Sequence, residues 1–528
     1  MPNHAEVIAE TLAGLGVNYV FGLPGGEISA FIDACRRKGV RFLLTGHESS
    51  AAIMAQVFGQ ITGIPGVCAT TLGPGATNVV TGVANAFLDR APLLAFTAQI
   101  PSAALQTMTH QRLDLHALFA PITKRSAAVG TTDTAELVQE SLALAATPRP
   151  GPVHLSLPSD VAVKACSPAK RIAKVNSQVE ERVPSSLDAI AARITASRRP
   201  LILVGLGAPP AAAWAIQKFV DNLGAPVLVT PKAKGILSED NPLFLGVASG
   251  MAVDAEVVET IRMADVIVGI GFDPVECDKT WFTEVEIVSI DSASMAEGDY
   301  KPVESVGEIS FLLNQLTSSI KEPRPWPEDI LAARRNATAR SASPSRDSVS
   351  PIALIETLRA LFPRDGIVTC DVGSHKMLLG QFWRTYEPGT FFMSNGLSGM
   401  GFGIPAAVAA QLAHPDRVVM AIVGDGGMLM MAHDLVLIRE LGLPIIMVCI
   451  TDGSLSLIRV AQERRGFPPC GVDFQPPNFA AMAEAFGIHG EKARRVEDVR
   501  SGLQQALEQR SPILLDVHVD FREYYNLV

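Results

Sequence analysis

Residues 418–427 read VVMAIVGDGG, an apolar run that passes directly into a glycine-rich turn around Asp425. A second apolar run, Ile445–Ile450, ends in a similar turn with the sequence TDGS at 451–454. Short apolar runs bounded by glycine are typical of strands buried in a parallel sheet, and the interval between the two runs has room for one helix. We therefore expect two strands of one sheet, each with an aspartate at its carboxyl end.

Asp425 and Asp452 form a candidate site for a metal ion and a diphosphate. They are 27 positions apart, so one helix and one strand separate them, and both reach the sheet edge where ligands of doubly wound folds bind. Gly424, Gly426 and Gly427 allow a phosphate to approach the backbone, and the next helix offers free N–H groups. Two carboxylates and a diphosphate suit Mg²⁺. The alternative, an ordinary strand-end turn, is disfavoured by the second aspartate.

The same alternation of strand-like and helical segments extends over the whole chain. It predicts an α/β protein with three doubly wound parallel-sheet domains, at 1–166, 185–320 and 350–528. Polar composition at 167–186, and proline, arginine and serine at 321–350, indicate linkers. Helices are expected at 28–37 and 49–59, and strands at 19–21, 41–44, 67–70, 93–97, 153–158, 200–205, 264–271, 366–369, 417–423, 444–450 and 512–517.

Composition favours small-molecule chemistry. The 528 residues are 48% apolar and 19% charged, which is typical of a globular protein, and the net charge of −10 argues against a nucleic-acid surface. The longest apolar runs are far shorter than the roughly 20 residues of a membrane-spanning helix. The polar N-terminus lacks a signal-peptide pattern, and seven cysteines without a C-x-x-C pair indicate reduced thiols. We expect a cytoplasmic protein that binds neither nucleic acid nor membrane.

Further motifs carry a resemblance to a known family, the thiamine-diphosphate enzymes of the acetolactate synthase type. The motifs shared with that family in general are VFGLPGG at 20–26, GHE at 46–48, GPGATN at 73–78 and GLSGMGFGIP at 396–405. Those that resemble its catabolic, flavin-independent branch are THQ at 109–111, LFAPITK at 118–124, GFDPVE at 271–276 and VDFR at 519–522. The resemblance covers nearly the whole chain.

The resemblance implies a set of cofactors and an assembly. The cofactors are thiamine diphosphate and Mg²⁺, with no bound FAD. The three domains become, in chain order, a pyrimidine-binding, a central and a diphosphate-binding domain. The active site lies between the subunits of a homodimer or homotetramer, with the first domain of one chain facing the third domain of its partner.

The same resemblance assigns roles to individual residues. Glu48 hydrogen-bonds the pyrimidine ring and promotes the tautomer that removes the proton of the thiazolium C2. Met400 supports the bent cofactor, and Gln111 faces the reacting centre. From position alone, Glu48 would be a helix cap and Met400 a core residue. The metal ligands are Asp425, Asp452 and the carbonyl of Ser454, and further cofactor-binding positions are Gly25, Gly373, Ser374, His375, Gly396, Ser398, Gly424, Gly426, Gly427 and Leu455.

Three positions depart from the family pattern. Thr451 stands where the flavin-independent branch has Asn, Glu27 where it has Lys, and Ala461 where relatives have Gln or Trp. A glutamate in the substrate pocket would repel an anionic 2-oxoacid or bind a cation, and an alanine would leave the pocket wider and less polar. The predicted pocket residues are Glu27, His110, Gln111 and Ala461.

The predicted activity is decarboxylation of a 2-oxoacid followed by carboligation, as in the conversion of two pyruvates to 2-acetolactate and CO₂. Two alternatives remain open. Glu27 and Ala461 favour a 2-oxoacid decarboxylase or a 2-hydroxyacyl lyase that acts on a larger substrate. A non-catalytic, cofactor-binding homologue is disfavoured because Glu48, Asp425 and Asp452 are intact.

Overall fold

Three parallel sheets follow one another along the chain, which confirms the predicted α/β class. The computed structural model describes residues 1–168, 184–277, 284–339 and 348–526. Within these residues each sheet has six strands, and all neighbouring strands pair in parallel. The predicted linker 167–186 lies mostly outside the described residues.

The first sheet comes from the first third of the chain. Its strands are β1 (Tyr19–Leu23), β2 (Arg41–Leu44), β3 (Gly66–Thr70), β4 (Leu93–Gln99), β5 (Arg125–Ala128) and β6 (Pro152–Pro158). They are arranged in the order β2-β1-β3-β4-β6-β5. Every residue of β3, β4 and β6 is buried, as expected for parallel strands covered by helices on both faces.

Eight helices flank this sheet within the described residues. They are α1 (His4–Gly14), α2 (Ser29–Arg37), α3 (Glu48–Thr62), α4 (Pro74–Asn78), α5 (Val80–Leu88), α6 (Leu115–Phe119), α7 (Thr134–Ala146) and α8 (Ser159–Ala162). The ends of α3 follow from local chemistry. The side chain of His47 caps its first turn, and Gly63 ends the helix at a φ of 73°, which glycine adopts without strain.

The second sheet has the strand order β12-β11-β10-β7-β8-β9. Its strands are β7 (Pro200–Val204), β8 (Val227–Val229), β9 (Phe244–Val247), β10 (Val266–Ile270), β11 (Ile287–Asp291) and β12 (Val303–Val306). The accompanying helices are α9 (Ser186–Ala196), α10 (Ala213–Leu223), α11 (Asp254–Arg262), α12 (Ile309–Ser319) and α13 (Glu328–Thr338).

The helix α13 corrects the prediction of a linker at 321–350. Its central part is helical and is anchored by Leu331, which is buried in an apolar cluster with Trp326. The indole of Trp326 donates a hydrogen bond to the carbonyl of Pro200 at 2.7 Å. Two apolar contacts and one buried hydrogen bond thus order a segment whose composition is typical of a linker.

The third sheet contains the two strands from which the sequence analysis started. Its order is β14-β13-β15-β16-β18-β17. The strands are β13 (Ile367–Cys370), β14 (Phe391–Met393), β15 (Val419–Gly424), β16 (Ile445–Thr451), β17 (His489–Ala493) and β18 (Ile513–His518). The helices of this part are α14 (Pro351–Leu361), α15 (Ser374–Phe382), α16 (Gly403–Ala413), α17 (Asp425–Met431), α18 (Asp434–Leu441), α19 (Ser456–Arg464), α20 (Phe479–Ala485) and α21 (Val496–Gln509).

The described chain packs into two compact units. The first contains residues up to 168 together with Gly396–Asp416 and Met430–Leu443, so that α16 packs against α3. The second contains residues 184–395, Arg417–Leu429 and the chain from Pro444 onward, and therefore the second and third sheets. None of the described helices has both the length and the apolar character that crossing a bilayer requires.

Candidate functional site

Asp425 and Asp452 lie at the same edge of the third sheet, as their spacing predicts. The strands β15 and β16 are adjacent and parallel, with Gly424 paired to Ile450. The Oδ2 of Asp425 accepts the backbone N–H groups of Asp452 and Gly453, at 3.2 and 2.8 Å. The strand-end turn of β16 is therefore bound directly to the strand-end aspartate of β15.

Burial and like charge disfavour the ionised forms of the two carboxylates, and a bound cation would stabilise them. Burial raises the pKa of Asp425, against the hydrogen bonds that it accepts from the backbone. Burial, and then the charge of Asp425, raise the pKa of Asp452 to about 7, although Ser456 donates a hydrogen bond to it at 2.7 Å. Two desolvated oxygen ligands of like charge are the donor set that a hard divalent ion requires. The residues thus fit a magnesium ion.

Additional oxygen donors would have to complete such a site. Among the described residues, no group of three or more His, Cys, Asp or Glu side chains is arranged to hold a metal. Ser454 lies in the turn after Asp452, and its N–H donates to Oδ1 of Asp452 at 3.0 Å. Its carbonyl and the oxygens of a diphosphate are the donors that the predicted site uses, which is typical of magnesium shared with a phosphate.

Next to this pair, the start of α15 presents two buried polar atoms that are unsatisfied. In the described part of the chain, Ser374 Oγ and His375 Nε2 are buried without a hydrogen-bond partner. Burial lowers the pKa of His375 to about 4, so the imidazole is neutral. Because unsatisfied buried groups cost free energy, these two atoms indicate a polar ligand. They fit the polar cofactor for which the sequence analysis predicted Gly373, Ser374 and His375 as binding positions.

Glycines allow the backbone to approach His375. A Cβ on Gly373 would lie 2.8 Å from its Cε1, and one on Gly424 would lie 3.1 Å from the same atom. A Cβ on Gly427 would lie 2.3 Å from Oδ2 of Asp371. Asp371 is fully buried and was missed by the sequence analysis. Because it directly follows β13, the strand-end signal that found Asp425 and Asp452 would also have found it.

Contacts within the first unit position the side chain of Glu48. It is the first residue of α3, and its side chain is buried. The amide of Asn78 donates to its Oε2 at 3.0 Å, and the carbonyl of Asn78 accepts the hydroxyl of Ser49 at 2.6 Å. Glu48 is therefore a fixed, buried carboxyl at a helix N-terminus, and not a surface cap.

A loop around Thr71 brings other predicted residues close to Glu48. The hydroxyl of Thr71 donates to Oε2 of Glu27 at 3.0 Å, and a Cβ on Gly25 would lie 2.2 Å from that hydroxyl oxygen. A Cβ on Gly75 would lie 2.7 Å from Cγ2 of Thr71 and 3.5 Å from Oε1 of Glu48. Thr71, which the sequence analysis missed, therefore binds Glu27 and shares with Glu48 the approach to Gly75.

Gln111 packs on the neighbouring glycine turn. The backbone φ of Gln111 is 55°, and a Cβ added to Gly73 would lie 3.1 Å from the Cβ of Gln111. A left-handed conformation is uncommon for glutamine and is retained where surrounding contacts fix it. His110 precedes it and is exposed in the same loop.

The segment with Gly396, Ser398 and Met400 also belongs to the first unit. The N–H of Gly396 donates to Oδ1 of the buried Asp89 at 2.8 Å. Ser398 has a φ of 54°, and Met400 is partly buried. In the second unit, Leu455 precedes α19, and Ala461 lies on that helix, half-buried. The predicted site residues therefore fall into two groups, one in each unit.

Comparison with known proteins assigns three segments of the chain to one enzyme family. Three family models match the chain: "Thiamine pyrophosphate enzyme, N-terminal TPP binding domain" at 2–118, the central domain of the same enzymes at 187–316, and the C-terminal TPP binding domain at 371–517. Thiamine pyrophosphate is thiamine diphosphate. The first and third matches include Glu48 and the Asp425–Asp452 pair, respectively.

Individual relatives are similar over almost their whole length. An acetolactate synthase of Bacillus subtilis (strain 168) is 30% identical, over 99% of this chain and 94% of the relative. A probable acetolactate synthase large subunit of Methanococcus aeolicus is 32% identical, over 98% and 92%. A catabolic acetolactate synthase of Raoultella terrigena is 28% identical, over 98% and 95%. These values do not separate the catabolic branch from the large subunits.

Proposed function

This chain belongs to the acetolactate synthase family of thiamine diphosphate enzymes, and we propose that it converts two molecules of pyruvate to 2-acetolactate and CO₂. It is a thiamine-diphosphate-dependent carboligase of the acetolactate synthase type. When bound, the cofactor supplies a thiazolium ring, whose C2 carbon adds to the carbonyl of a 2-oxoacid and whose cationic nitrogen accepts the electron pair left behind when CO₂ departs. The observation that carries the proposal is the strand-end pair of the buried Asp425 and the half-buried Asp452 beside the unsatisfied atoms of Ser374 and His375.

The second unit would anchor the cofactor through its diphosphate. Asp425, Asp452 and the carbonyl of Ser454 would hold Mg²⁺, whose charge relieves the repulsion between the two carboxylates. Ser374 and His375 would supply hydrogen bonds to the diphosphate. Thr451 replaces the Asn of the flavin-independent branch, but the carboxylate of Asp452 is retained. The hydroxyl of Thr451 donates to Asp516 at 2.7 Å.

The first unit would act on the other end of the cofactor. Glu48 would share a proton with a nitrogen of the pyrimidine ring, and Asn78 would hold its carboxyl in place. Met400 would support the bent cofactor, and Gln111 would face the substrate. Glu27, fixed by Thr71, and Ala461 would line the acceptor pocket.

We also propose that two copies of the chain complete each active site. The pyrimidine and diphosphate residues belong to different units, and the family places its active sites between subunits. Apolar side chains of the first unit are available for such an interface, since Leu44, Met430 and Val436 are 55%, 51% and 43% exposed. The described cysteines are all free thiols, which supports a reducing compartment such as the cytoplasm.

A 2-oxoacid screen tests the proposed activity. The purified chain is incubated with Mg²⁺, thiamine diphosphate and pyruvate or larger 2-oxoacids, and the products are identified by mass spectrometry. We expect CO₂ and 2-acetolactate from pyruvate. Free aldehyde alone would indicate a decarboxylase, and the absence of CO₂ and of any 2-hydroxy-3-oxoacid across the panel would contradict an active enzyme.

A further inference from the structure

The N-terminus of α3, which carries Glu48, is attached to the start of α18 by a buried hydrogen-bond network. The hydroxyl of Ser50 lies 2.7 Å from Oδ2 of Asp434 and 3.2 Å from Nε2 of His433. Ser50 and Asp434 are both fully buried. Both segments belong to the first unit. The contact joins residues 384 positions apart in the sequence.

The directions of these hydrogen bonds follow from the donors available. The hydroxyl of Ser50 has one proton, and a carboxylate is a stronger acceptor than an imidazole nitrogen or the sulfur of Met431. When Asp434 is ionised, Ser50 therefore donates to it, and the hydroxyl oxygen of Ser50 can accept the Nε2–H of His433. The hydrogen bonds therefore run from the partly exposed His433 through Ser50 to Asp434.

On the N-terminal side of Glu48, the backbone of Gly46 lies close to the ring of His433. A Cβ on Gly46 would lie 2.4 Å from the ring of His433, so only glycine fits there without displacing the ring. The ring centroids of His47 and His433 are 6.0 Å apart. His47 in turn accepts the N–H of Ser49 at 3.1 Å. The residues before and after Glu48 are thus both attached to α18.

We propose that Asp434, acting through Ser50, is a positioning residue that fixes the carboxyl of Glu48 against the cofactor. This inference rests on the proposed function, because it presumes that Glu48 exchanges a proton with the cofactor. Asn78 holds the carboxyl itself, whereas Asp434 holds the backbone from which that carboxyl extends. A proton-transferring group loses about 100-fold in rate when it is displaced by about 1 Å, so this attachment bears directly on turnover.

The charges around Asp434 support a hydrogen-bonded attachment. Burial raises the pKa of Asp434 to about 7, although hydrogen bonds from Ser50 and the Gly46 backbone lower it. Burial, and then the charge of His47, lower the pKa of His433. The imidazole of His433 is therefore mainly neutral near pH 7, and it contributes a hydrogen bond more than a charge.

The test measures hydrogen–deuterium exchange at C2 of bound thiamine diphosphate, by acid quench and NMR, without substrate. The variants are Ser50→Ala, Asp434→Asn, Glu48→Gln and Ser50→Ala combined with Glu48→Gln. Ser141→Ala is the matched control, because Ser141 is also a fully buried, hydrogen-bonded serine on a helix of the first unit. Melting temperature and Mg²⁺-dependent cofactor retention are measured in parallel.

We expect Ser50→Ala and Asp434→Asn to slow exchange by about 10- to 100-fold, with cofactor retention unchanged. Ser141→Ala should keep the wild-type exchange rate at a comparable loss of melting temperature. In the Glu48→Gln background, Ser50→Ala should have no further effect. Ser50→Ala removes a single oxygen and carries the test alone if Asp434→Asn fails to fold.

Two outcomes would overturn the inference and leave the proposed function intact. One is a wild-type exchange rate in Ser50→Ala, and the other is an equal slowing of exchange by Ser50→Ala with and without Glu48. If Glu48→Gln itself exchanges at the wild-type rate, the proposed role of Glu48 fails, and this inference fails with it.

Discussion

The Asp425–Asp452 pair is the part of the proposed site where a single substitution should have the largest effect on cofactor binding. Asp425 is buried and Asp452 is half-buried, and both accept backbone hydrogen bonds that hold them in place. A cation would offset the cost of this arrangement. If the proposed magnesium site is correct, loss of one aspartate removes a metal ligand.

Asp425→Ala should weaken Mg²⁺-dependent binding of thiamine diphosphate by more than 100-fold or so, because losing even a group that only orients a metal ligand costs about 10- to 100-fold. Calorimetric titration with and without Mg²⁺ measures this. Asp299→Ala, at an exposed position, is the matched control, and Cys470→Ala should also bind normally, since its thiol is free and exposed. Unchanged binding in Asp425→Ala would contradict the assignment.

Glu27 offers a prediction about substrate choice. Its half-buried carboxylate is held by a hydrogen bond from Thr71, and a fixed negative charge disfavours an anionic acceptor. Glu27→Gln should lower the KM for pyruvate roughly 10-fold, since a like charge at about 4 Å costs about 1–4 kcal/mol. Steady-state kinetics with pyruvate and with an uncharged aldehyde acceptor should show the gain for pyruvate only. An equal change for both acceptors would point to pocket shape instead of charge.

The sequence reveals such residues only where a local pattern marks them. Asp425 and Asp452 follow apolar strands, and that pattern is readable without a structure. Thr71 and Asp434 act through residues 44 and 384 positions away. No spacing rule connects partners that come together only after the chain has folded.

At the scale of elements, most strands buried on both faces were predicted to within a few residues. β15 and β16 are nearly continuous apolar runs, and β4 and β6 are mostly apolar, with glycine or proline nearby, so their signal is strong. The unpredicted strands are β5, β8, β9, β11, β12, β14 and β17. Five of them lie at the edges of the sheets, whereas β8 has only three residues and β11 is a buried interior strand that the sequence analysis missed. Edge strands such as β5 and β17 are partly exposed, so their pattern does not differ from that of a loop. Their neighbours in the sheet determine them.

The carboxyl end of β11 gives a prediction about stability and pH. Burial raises the pKa of Asp291 from 3.8 to about 7. The folded protein therefore binds the proton of the Asp291 carboxyl more tightly than the unfolded chain does. The stabilisation that comes from this protonation is fully present below about pH 4 and is lost as the pH rises to about 7.

Asp291→Asn removes the titrating carboxyl and should abolish this loss. Relative to wild type, the variant should gain up to about 4 kcal/mol more in free energy of unfolding at pH 8 than at pH 4, since each pKa unit is worth about 1.4 kcal/mol. Melting temperatures across this range measure the effect. The amide oxygen can still accept the N–H of Ser292, which Oδ1 of Asp291 accepts at 2.6 Å. Parallel pH profiles for wild type and variant would contradict the prediction.

At the scale of the whole molecule, the order of the segments along the chain differs from the way in which they pack. The three sheets follow the chain, as predicted, but Gly396–Asp416 and Met430–Leu443 pack with the first unit although both flank strands of the third sheet. Hydrophobic patterning shows which face of a helix is buried, but not against which partner. α16 is apolar around most of its circumference, with nine of its residues buried, so its sequence cannot indicate that it packs on α3.

A complementation experiment tests the proposal that two copies complete each active site. Glu48→Gln and Asp425→Ala disable different halves of the site. If each site takes Glu48 from one copy and Asp425 from the other, a mixed dimer contains one intact site and one doubly defective site. Mixed dimers, isolated through two different affinity tags, should therefore show about half of the wild-type activity.

The reverse mixture makes the test symmetrical. Wild type paired with a chain that carries both substitutions has one defect in each shared site, so we expect almost no activity. A site built within a single chain predicts the opposite of both results, because neither single variant has a complete site while the wild-type chain keeps its own. Native mass spectrometry confirms the composition of each mixture, so the two activities together decide whether Glu48 acts on a cofactor anchored by its own chain or by its partner.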